Sequence, residues 1–342
     1  MTPSNKHEAP TPSGPPSPAG PPGAERRPLK LIIQIPCHDE EATLATTLAA
    51  LPRHLEGVES VELLVIDDGS SDRTAEVARA SGAHHVVRHN QNLGLASAFM
   101  SGLRASTELG ADIIVNTDAD NQYRAEDLPA LLQPILDGKA DIVVGARPIE
   151  SIRHFSATKR WLQGVGSRVV RALSGTDVQD APSGFRAMTR DAALRLNVFT
   201  RYTYTLETII QAGLSNLRVV NVPIGVHPPT RPSRLISSTT DYLWRSLCTL
   251  LSVYLIYRPI RLFSALSLVF LMPGLALAAR YLYFFFIGEG KGHVQSVIVG
   301  GVLVVCGIFM LAIASVAHLL AINRQLLEEL RYLQRRSSAG KP

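Results

Sequence analysis

The sequence predicts an α/β domain built on a mostly parallel sheet and followed by two C-terminal transmembrane helices. Three observations lead there. From Leu29 to about Val144 short β-branched runs alternate with helical patterns, as strands joined by crossover helices do. Two aspartates, Asp118 and Asp120, stand where the apolar run Ile113-Ile114-Val115 leaves a strand. Two membrane-length apolar stretches lie downstream of them.

The chain has 342 residues, room for one domain of about 200 residues and an appendage. Residues 1–28 form the first segment, where Pro10 through Pro28 alternate with Gly, Ser and Ala without apolar periodicity, so a disordered tail is expected. No apolar h-region follows a basic start, and a secretory signal is not expected. Strands are predicted at Leu31–Ile35, Val61–Ile66, His84–Arg88, Ile113–Thr117 and Ile142–Val144. Helices are predicted at Glu41–Leu51, Arg73–Ala80, Leu95–Leu109 and Glu126–Leu136, with Asp72 capping the second and Gly82 ending it. The folded domain is assigned to 29–232, its less regular end carrying a helix at Tyr204–Ala212 and a strand at Arg218–Val222.

Residues 233–261 hold an apolar-rich helical pattern (Leu243, Trp244, Leu247, Leu250, Leu251) beside Arg234 and Arg245, which fits a helix lying in the headgroup plane or one packed in a core. Within 262–322, Leu262–Ala279 and Val294–Ile322 lack regular polar faces and each can cross a bilayer needing about 20 helical residues. Pro273-Gly274 is expected to kink the first. Arg245, Arg258 and Arg261 precede the first span, and Arg324, Arg331, Arg335 and Arg336 follow the second in the basic tail, 323–342. The positive-inside rule then puts both termini and the folded domain in the cytoplasm, at the inner membrane.

A net charge of +5 is modest for a nucleic-acid binder, and the arginines cluster near the apolar stretches, so a membrane surface is the expected anionic partner and nucleic acid is not. Cys37, Cys248 and Cys306 are widely separated and suit a reducing compartment rather than a disulfide or thiolate metal site. His84 and His85 fall on opposite faces of a strand and read as surface histidines. No G-x-G-x-x-G follows the first strand, which disfavours a dinucleotide oxidoreductase.

Open parallel sheets bind ligands beyond the carboxyl ends of their strands. Three of those ends carry Pro36-Cys37-His38-Asp39-Glu40, Asp67-Asp68-Gly69-Ser70 and Asp118-Ala119-Asp120-Asn121-Gln122. Acids gathered on one rim repel one another unless a cation or hydrogen-bonding ligand is present. Carboxylates at i and i+2 can share one face and reach a divalent cation that neutralises a diphosphate. A D-x-D taken alone also fits a solvated loop with capping aspartates.

In order along the chain stand Ile35-Pro36-Cys37-His38-Asp39-Glu40-Glu41, Val65-Ile66-Asp67-Asp68-Gly69-Ser70, Asn92-Leu93-Gly94, Thr117-Asp118-Ala119-Asp120, Val144-Gly145-Ala146-Arg147 and Ser183-Gly184-Phe185-Arg186. This series resembles the inverting GT-A glycosyltransferases of the polyprenyl-phosphate branch, similar to dolichol-phosphate mannosyltransferases, and spans about Lys30 to Leu235. The resemblance implies a GT-A nucleotide-sugar-binding domain that moves a hexose from a GDP- or UDP-sugar to an undecaprenyl- or dolichyl-type phosphate.

It implies roles residue by residue. Pro36, His38, Glu40, Asp67, Asp68 and Gly94 would line the donor pocket, with Asp118 contributing, although acids at Glu40 and Glu41 also suit a helix N-terminus. Asp118, Asp120 and Gln122 would hold Mg²⁺ or Mn²⁺, hard ions matched to carboxylate and phosphate oxygens. Arg147 and Arg160 would act with the two aspartates in catalysis by clamping the acceptor phosphate. Arg231, Ser233 and Arg234 would close over the acceptor, and Glu207 would lie on its side. An arginine in any of these places also fits a surface charge or a headgroup contact. Gly184 is expected to permit a turn and Arg186 to be structural.

Some residues depart from the family pattern. His38 stands where an aromatic is common, and the lysine expected near Asn92-Leu93-Gly94 is missing. Arg160-Trp161-Leu162-Gln163 reverses the Q-x-x-R-W of processive synthases, which disfavours a polymerising channel. Two alternatives stay open: a same-fold transferase to a sugar hydroxyl or lipid alcohol, needing a carboxylate base such as Glu207 or Asp180, and a catalytically dead membrane-anchored binding protein. A homo-oligomer is also left open.

Overall fold

The computed structural model describes residues 28–148, 174–198, 204–228 and 259–339, with scattered residues between 167 and 172 and between 248 and 257. Arg160, Arg231, Ser233, Arg234, the tail at 1–27 and most of 233–258 lie outside the described residues.

Strands β1 (Lys30–Cys37), β2 (Ser60–Asp67), β3 (His85–Arg88) and β4 (Ile113–Asn116) form where the β-branched runs predict them. Helices α1 (Leu44–Ala50), α2 (Thr74–Ala80) and α3 (Leu95–Glu108) cross between them. After α4 (Leu128–Leu136) come β5 (Ile142–Ala146), β6 (Arg186–Thr189), α5 (Arg190–Arg195), α6 (Thr205–Leu214) and β7 (Val219–Pro223). The strands of the described residues form one sheet ordered β3-β2-β1-β4-β6-β5-β7. Among them only β6 runs antiparallel, zipped between β4 and β5 with Asn116 opposite Arg186 and Val144 opposite the same residue.

Alternation along β1 builds two cores. Leu31, Ile33 and Ile35 face α1 and α4, where Leu44, Leu48, Leu131 and Ile135 meet them. Ile32 faces α3, α5 and α6 with Phe99, Leu103, Ala193 and Ile210. Each such fully buried aliphatic side chain contributes roughly 1.5–3 kcal/mol through its removal from water. Gln34, on the second face, is fully buried and polar, and it donates to Asn116 Oδ1 at 2.9 Å.

The start of α1 differs from expectation, while the ends of α2 carry the expected Asp72 and Gly82 signals. Glu40 carbonyl accepts from Leu44 at 3.0 Å, so α1 begins three residues later than Glu41, after a tight turn in which Asp39 holds φ 52°. Asp72 caps α2 through an Asx-type bond, its Oδ1 accepting the Thr74 N–H at 2.9 Å, and Gly82 leaves the helix at φ 80°.

Two long helices complete the chain, α7 (Pro259–Phe286) and α8 (Val294–Ala339), both long and apolar enough to cross a membrane. They pack antiparallel, with Ser267 Oγ donating to the Gly307 carbonyl at 2.7 Å and Gly274 against Gly300 and Val304. Leu268, Val269, Val305, Ile308 and Phe309 face outward and are more than half exposed, as lipid-facing side chains would be. α8 continues well past Ile322.

Candidate active site

The rim is assembled by three loops at the carboxyl edge of β1, β2 and β4. Register sets Cys37 opposite Asp67, so the first two loops leave the sheet side by side. They are stitched together: Asp39 N–H donates to Ser70 Oγ at 2.9 Å, Ser71 N–H to Asp39 Oδ1 at 2.8 Å and Glu40 N–H to Thr74 Oγ1 at 2.8 Å. His38 Nδ1 lies 3.0 Å from the Asp68 carbonyl. Pro36 is buried as the penultimate residue of β1, and Glu40 accepts from Thr43 Oγ1 at 2.7 Å.

Asp67 is fully buried; its Oδ1 accepts from Ser70 N–H at 2.9 Å, and Arg88 Nε sits 3.1 Å from its Oδ2. Asp68 organises a neighbouring loop by accepting from Leu93 and Gly94 N–H at 2.9 and 2.8 Å, while His89 Nδ1 lies at 2.7 Å. Gly69 (φ 67°) backs onto that loop so closely that a Cβ would fall 2.3 Å from the Gln91 carbonyl carbon, which admits no side chain. Gly94 heads α3 at φ 93°.

Asp118 is the outer end of a buried polar ladder. Below it Asn116 donates to the Gly184 carbonyl at 2.9 Å and to Tyr204 Oη at 2.8 Å, and Gly184 N–H donates to Tyr123 Oη at 3.0 Å. Asp118 itself receives no hydrogen bond from any described residue. Burial first, then the charge of Asp120, raise its pKa from 3.8 to about 7, with Arg147 pulling the other way. Gln122 supports Asp120 through its backbone N–H, 3.1 Å from Oδ1. The acids share one field: burial, then Glu40, Asp67 and Asp118, push the Cys37 thiol well above its usual range.

Arg147, at the end of β5, is paired with Asp180: Nε reaches Oδ2 at 2.7 Å and a terminal nitrogen reaches Oδ1 at 3.0 Å. Sequence reasoning cast Asp180 only as a base for an alternative acceptor; no local spacing announces a pair 33 residues apart. Glu207 is buried on α6 and receives the Tyr257 hydroxyl at 3.3 Å, with Arg324 at 3.8 Å.

Gly184 departs from its expected role. It has no positive φ; a Cβ there would stand 3.0 Å from both Asp118 Oδ1 and Tyr204 Oη, so the missing side chain makes room for the carboxylate. Arg186 is structural as expected, fully buried with its nitrogens on the Ser183 and Ala181 carbonyls (2.9 and 2.7 Å) and Thr208 Oγ1 (2.5 Å).

Among the described residues no three His, Cys, Asp or Glu side chains gather as a closed metal cage. A carboxylate of raised pKa that takes no hydrogen bond from the described residues, beside a second carboxylate, nevertheless fits a hard cation that takes its other oxygens from phosphate and water, as Mg²⁺ sites commonly do.

The sheet with its acidic carboxyl rim has the GT-A architecture, and the chain belongs to Glycosyl transferase family 2, whose profile matches residues 32–196. It is similar to the UDP-N-acetylglucosamine–dolichyl-phosphate N-acetylglucosaminyltransferase of Methanococcus voltae, 30% identical over 213 residues that cover 56% of this chain and 82% of that protein. The undecaprenyl-phosphate mannosyltransferase of Micrococcus luteus is 29% identical over 206 residues, covering 57% of this chain and 83% of the relative. In fold it matches glucosyl-3-phosphoglycerate synthase from Mycobacterium tuberculosis, solved with Mn²⁺, uridine diphosphate and phosphoglyceric acid. That likeness has a TM-score of 0.51 at 23% identity over 66% of this chain and 78% of that one.

Proposed function

We propose that this protein transfers one hexose, with inversion, from a GDP- or UDP-sugar to a polyprenyl phosphate of undecaprenyl or dolichyl type at the cytoplasmic face of a membrane. The observation that carries it is the Asp118 carboxylate on an acidic rim at the strand ends, which receives no hydrogen bond from any described residue and has its pKa raised to about 7. The relatives' named acceptors, dolichyl phosphate and undecaprenyl phosphate, support the acceptor class. The domain is read as 29–232, a membrane-surface segment as 233–261, the spans within 262–322, and both termini as cytoplasmic.

Asp118 and Asp120, with Gln122, would hold Mg²⁺ or Mn²⁺. The cation, when bound, offsets the charge of a departing nucleoside diphosphate. Pro36, His38, Glu40, Asp67, Asp68 and Gly94 shape the donor pocket, where buried Asp67 is suited to accept from a base or ribose donor. Arg147 is held in a fixed orientation by Asp180, so its guanidinium reaches the acceptor phosphate without losing side-chain freedom on binding. Arg160, Arg231, Ser233 and Arg234 complete the acceptor side of this reading. A phosphate acceptor is already anionic and needs no dedicated base. A hydroxyl acceptor would need one, and Asp180 and Glu207 are both held in ion pairs.

The test is to incubate membranes carrying the protein with a panel of radiolabelled nucleotide sugars and polyprenyl phosphate, with and without EDTA. A chloroform-soluble product that disappears with EDTA is expected. Asp120→Ala should reduce it by a factor of about 10²–10³, as loss of a charge-stabilising group does in other sites. An undiminished yield from that variant removes the metal assignment.

A further inference from the structure

α8 is a single helix of 46 residues, about 69 Å long, although a hydrocarbon core measures only about 30 Å. Its register against α7, set by Ser267 with Gly307 and Gly274 with Gly300, places Arg261 level with Ile313. Arg324 therefore lies about 11 residues, or ~16 Å, beyond the arginine that opens α7. That is past a headgroup layer roughly 5–8 Å deep.

There the helix is clamped to the domain at two levels. At the first, Arg324 donates to Tyr257 Oη at 2.7 Å, lies over its ring at 4.4 Å and pairs with Glu328 at 2.8 Å. The same hydroxyl takes a bond from Gln211 Nε2 at 2.9 Å and donates to Glu207 at 3.3 Å. Glu207 is 1% exposed, and Arg324 at 3.8 Å supplies a cationic partner to that buried carboxylate. Two turns further on, Tyr332 donates to Asp191 Oδ1 at 2.5 Å, and Arg195 both donates to Tyr332 Oη at 3.2 Å and stacks on its ring at 4.2 Å. Arg335 closes the contact on the Leu196 carbonyl at 3.2 Å, where α5 ends. Arg324, Glu328, Tyr332 and Arg335 recur at three- and four-residue spacing, so one face of the helix makes every contact.

We propose that this cytoplasmic stretch of α8 is a positioning strut. Arg324, Tyr332 and Arg335 lock the second membrane helix to α5 and α6, and so set the height of the nucleotide rim above the lipid phosphates. The proposal rests on the membrane-acceptor reading and deepens it. Two separated clamps on one unbroken helix fix tilt as well as distance, which one contact or a flexible linker would not do.

Its test uses the full chain in nanodiscs, with the double variant Arg324→Ala/Tyr332→Phe. Two acceptors are compared, a bilayer-embedded polyprenyl phosphate and a short-chain prenyl phosphate dispersed in detergent. Transfer to the embedded acceptor should fall about tenfold while transfer to the dispersed one stays within about twofold, since misplacement penalises only an acceptor fixed in the bilayer. Amide hydrogen exchange across residues 324–339 should accelerate in the variant. Unchanged exchange would show that no clamp exists. If the wild type labels both acceptors and the variant loses both alike, the contacts merely hold the fold and this proposal alone fails. If the wild type labels neither, the functional reading has failed and takes the strut's purpose with it.

Discussion

At the Asp118 carboxylate, burial and the charge of Asp120 oppose ionisation while Arg147 favours it, and the balance leaves a pKa of about 7. A divalent cation would relieve both opposing pressures. The space for that carboxylate comes from Gly184, where a methyl would press on Asp118 and Tyr204 at once. Gly184→Ala is expected to weaken Mn²⁺ and nucleotide-sugar binding at least tenfold while costing only about 1–3 kcal/mol of stability, the usual toll of modest overpacking. Isothermal titration beside a thermal melt checks this, and wild-type affinity in the variant would show that the carboxylate has room to spare. The aspartates were legible in the sequence because they add a third acidic cluster to one sheet edge, where like charges repel without a cation or ligand. The glycine's reason was not, because Asp118 and Gly184 meet only through the pairing of β4 with β6.

Among the elements, β5 and β7 are joined at their starts by an Asp141–Arg218 pair, with bonds of 3.0 and 2.8 Å from the guanidinium and 2.8 Å from the Arg218 N–H. Burial works against the Asp141 charge, but the Arg218 hydrogen bonds and charge outweigh it and hold the carboxyl below its usual range. A depressed folded pKa contributes stability that is present above the unfolded value near 3.9 and is lost as pH falls through the folded value. Half of Arg218 is exposed, so the pair is screened and worth about 0.5–1 kcal/mol. Denaturant titrations should show Asp141→Asn less stable by that amount at pH 7 and converging with the wild type toward pH 3; a gap independent of pH would refute the electrostatic account.

The parallel strands and their helices were readable as apolar runs between breakers. β6 was not, since Arg186-Ala187-Met188-Thr189 carries no apolar run and gains its place from partners on both sides. α8 runs on beyond the apolar stretch that ends at Ile322 because the Gln, Leu, Glu and Arg that follow are good helix formers with no Gly or Pro to stop them.

The whole molecule reads as an acidic rim beside a hairpin of two helices long and apolar enough to cross a membrane, and its three cysteines test the proposed arrangement. Cys37 is buried under the rim, Cys248 is exposed, and Cys306 is partly covered near the middle of the apolar stretch of α8. With the orientation proposed above, a charged maleimide should label Cys248 alone, and only in inside-out vesicles; a permeable maleimide should add Cys306. Cys37, its thiol raised by burial and by surrounding acids, should react only after denaturation. Labelling of Cys306 by the charged reagent would place α8 in water.

By itself the sequence determined the alternation of strand and helix, the acids at three strand ends and the two apolar spans, because each depends on residues close together in the chain. Only the tertiary structure decided that Asp180 belongs to Arg147, that Gly184 yields its space to Asp118, and that Glu207 faces Tyr257 and Arg324. Those pairings join residues from 33 to 117 positions apart. Such contacts leave no periodic trace in the chain, since packing across the sheet and along α8 sets them rather than neighbouring residues.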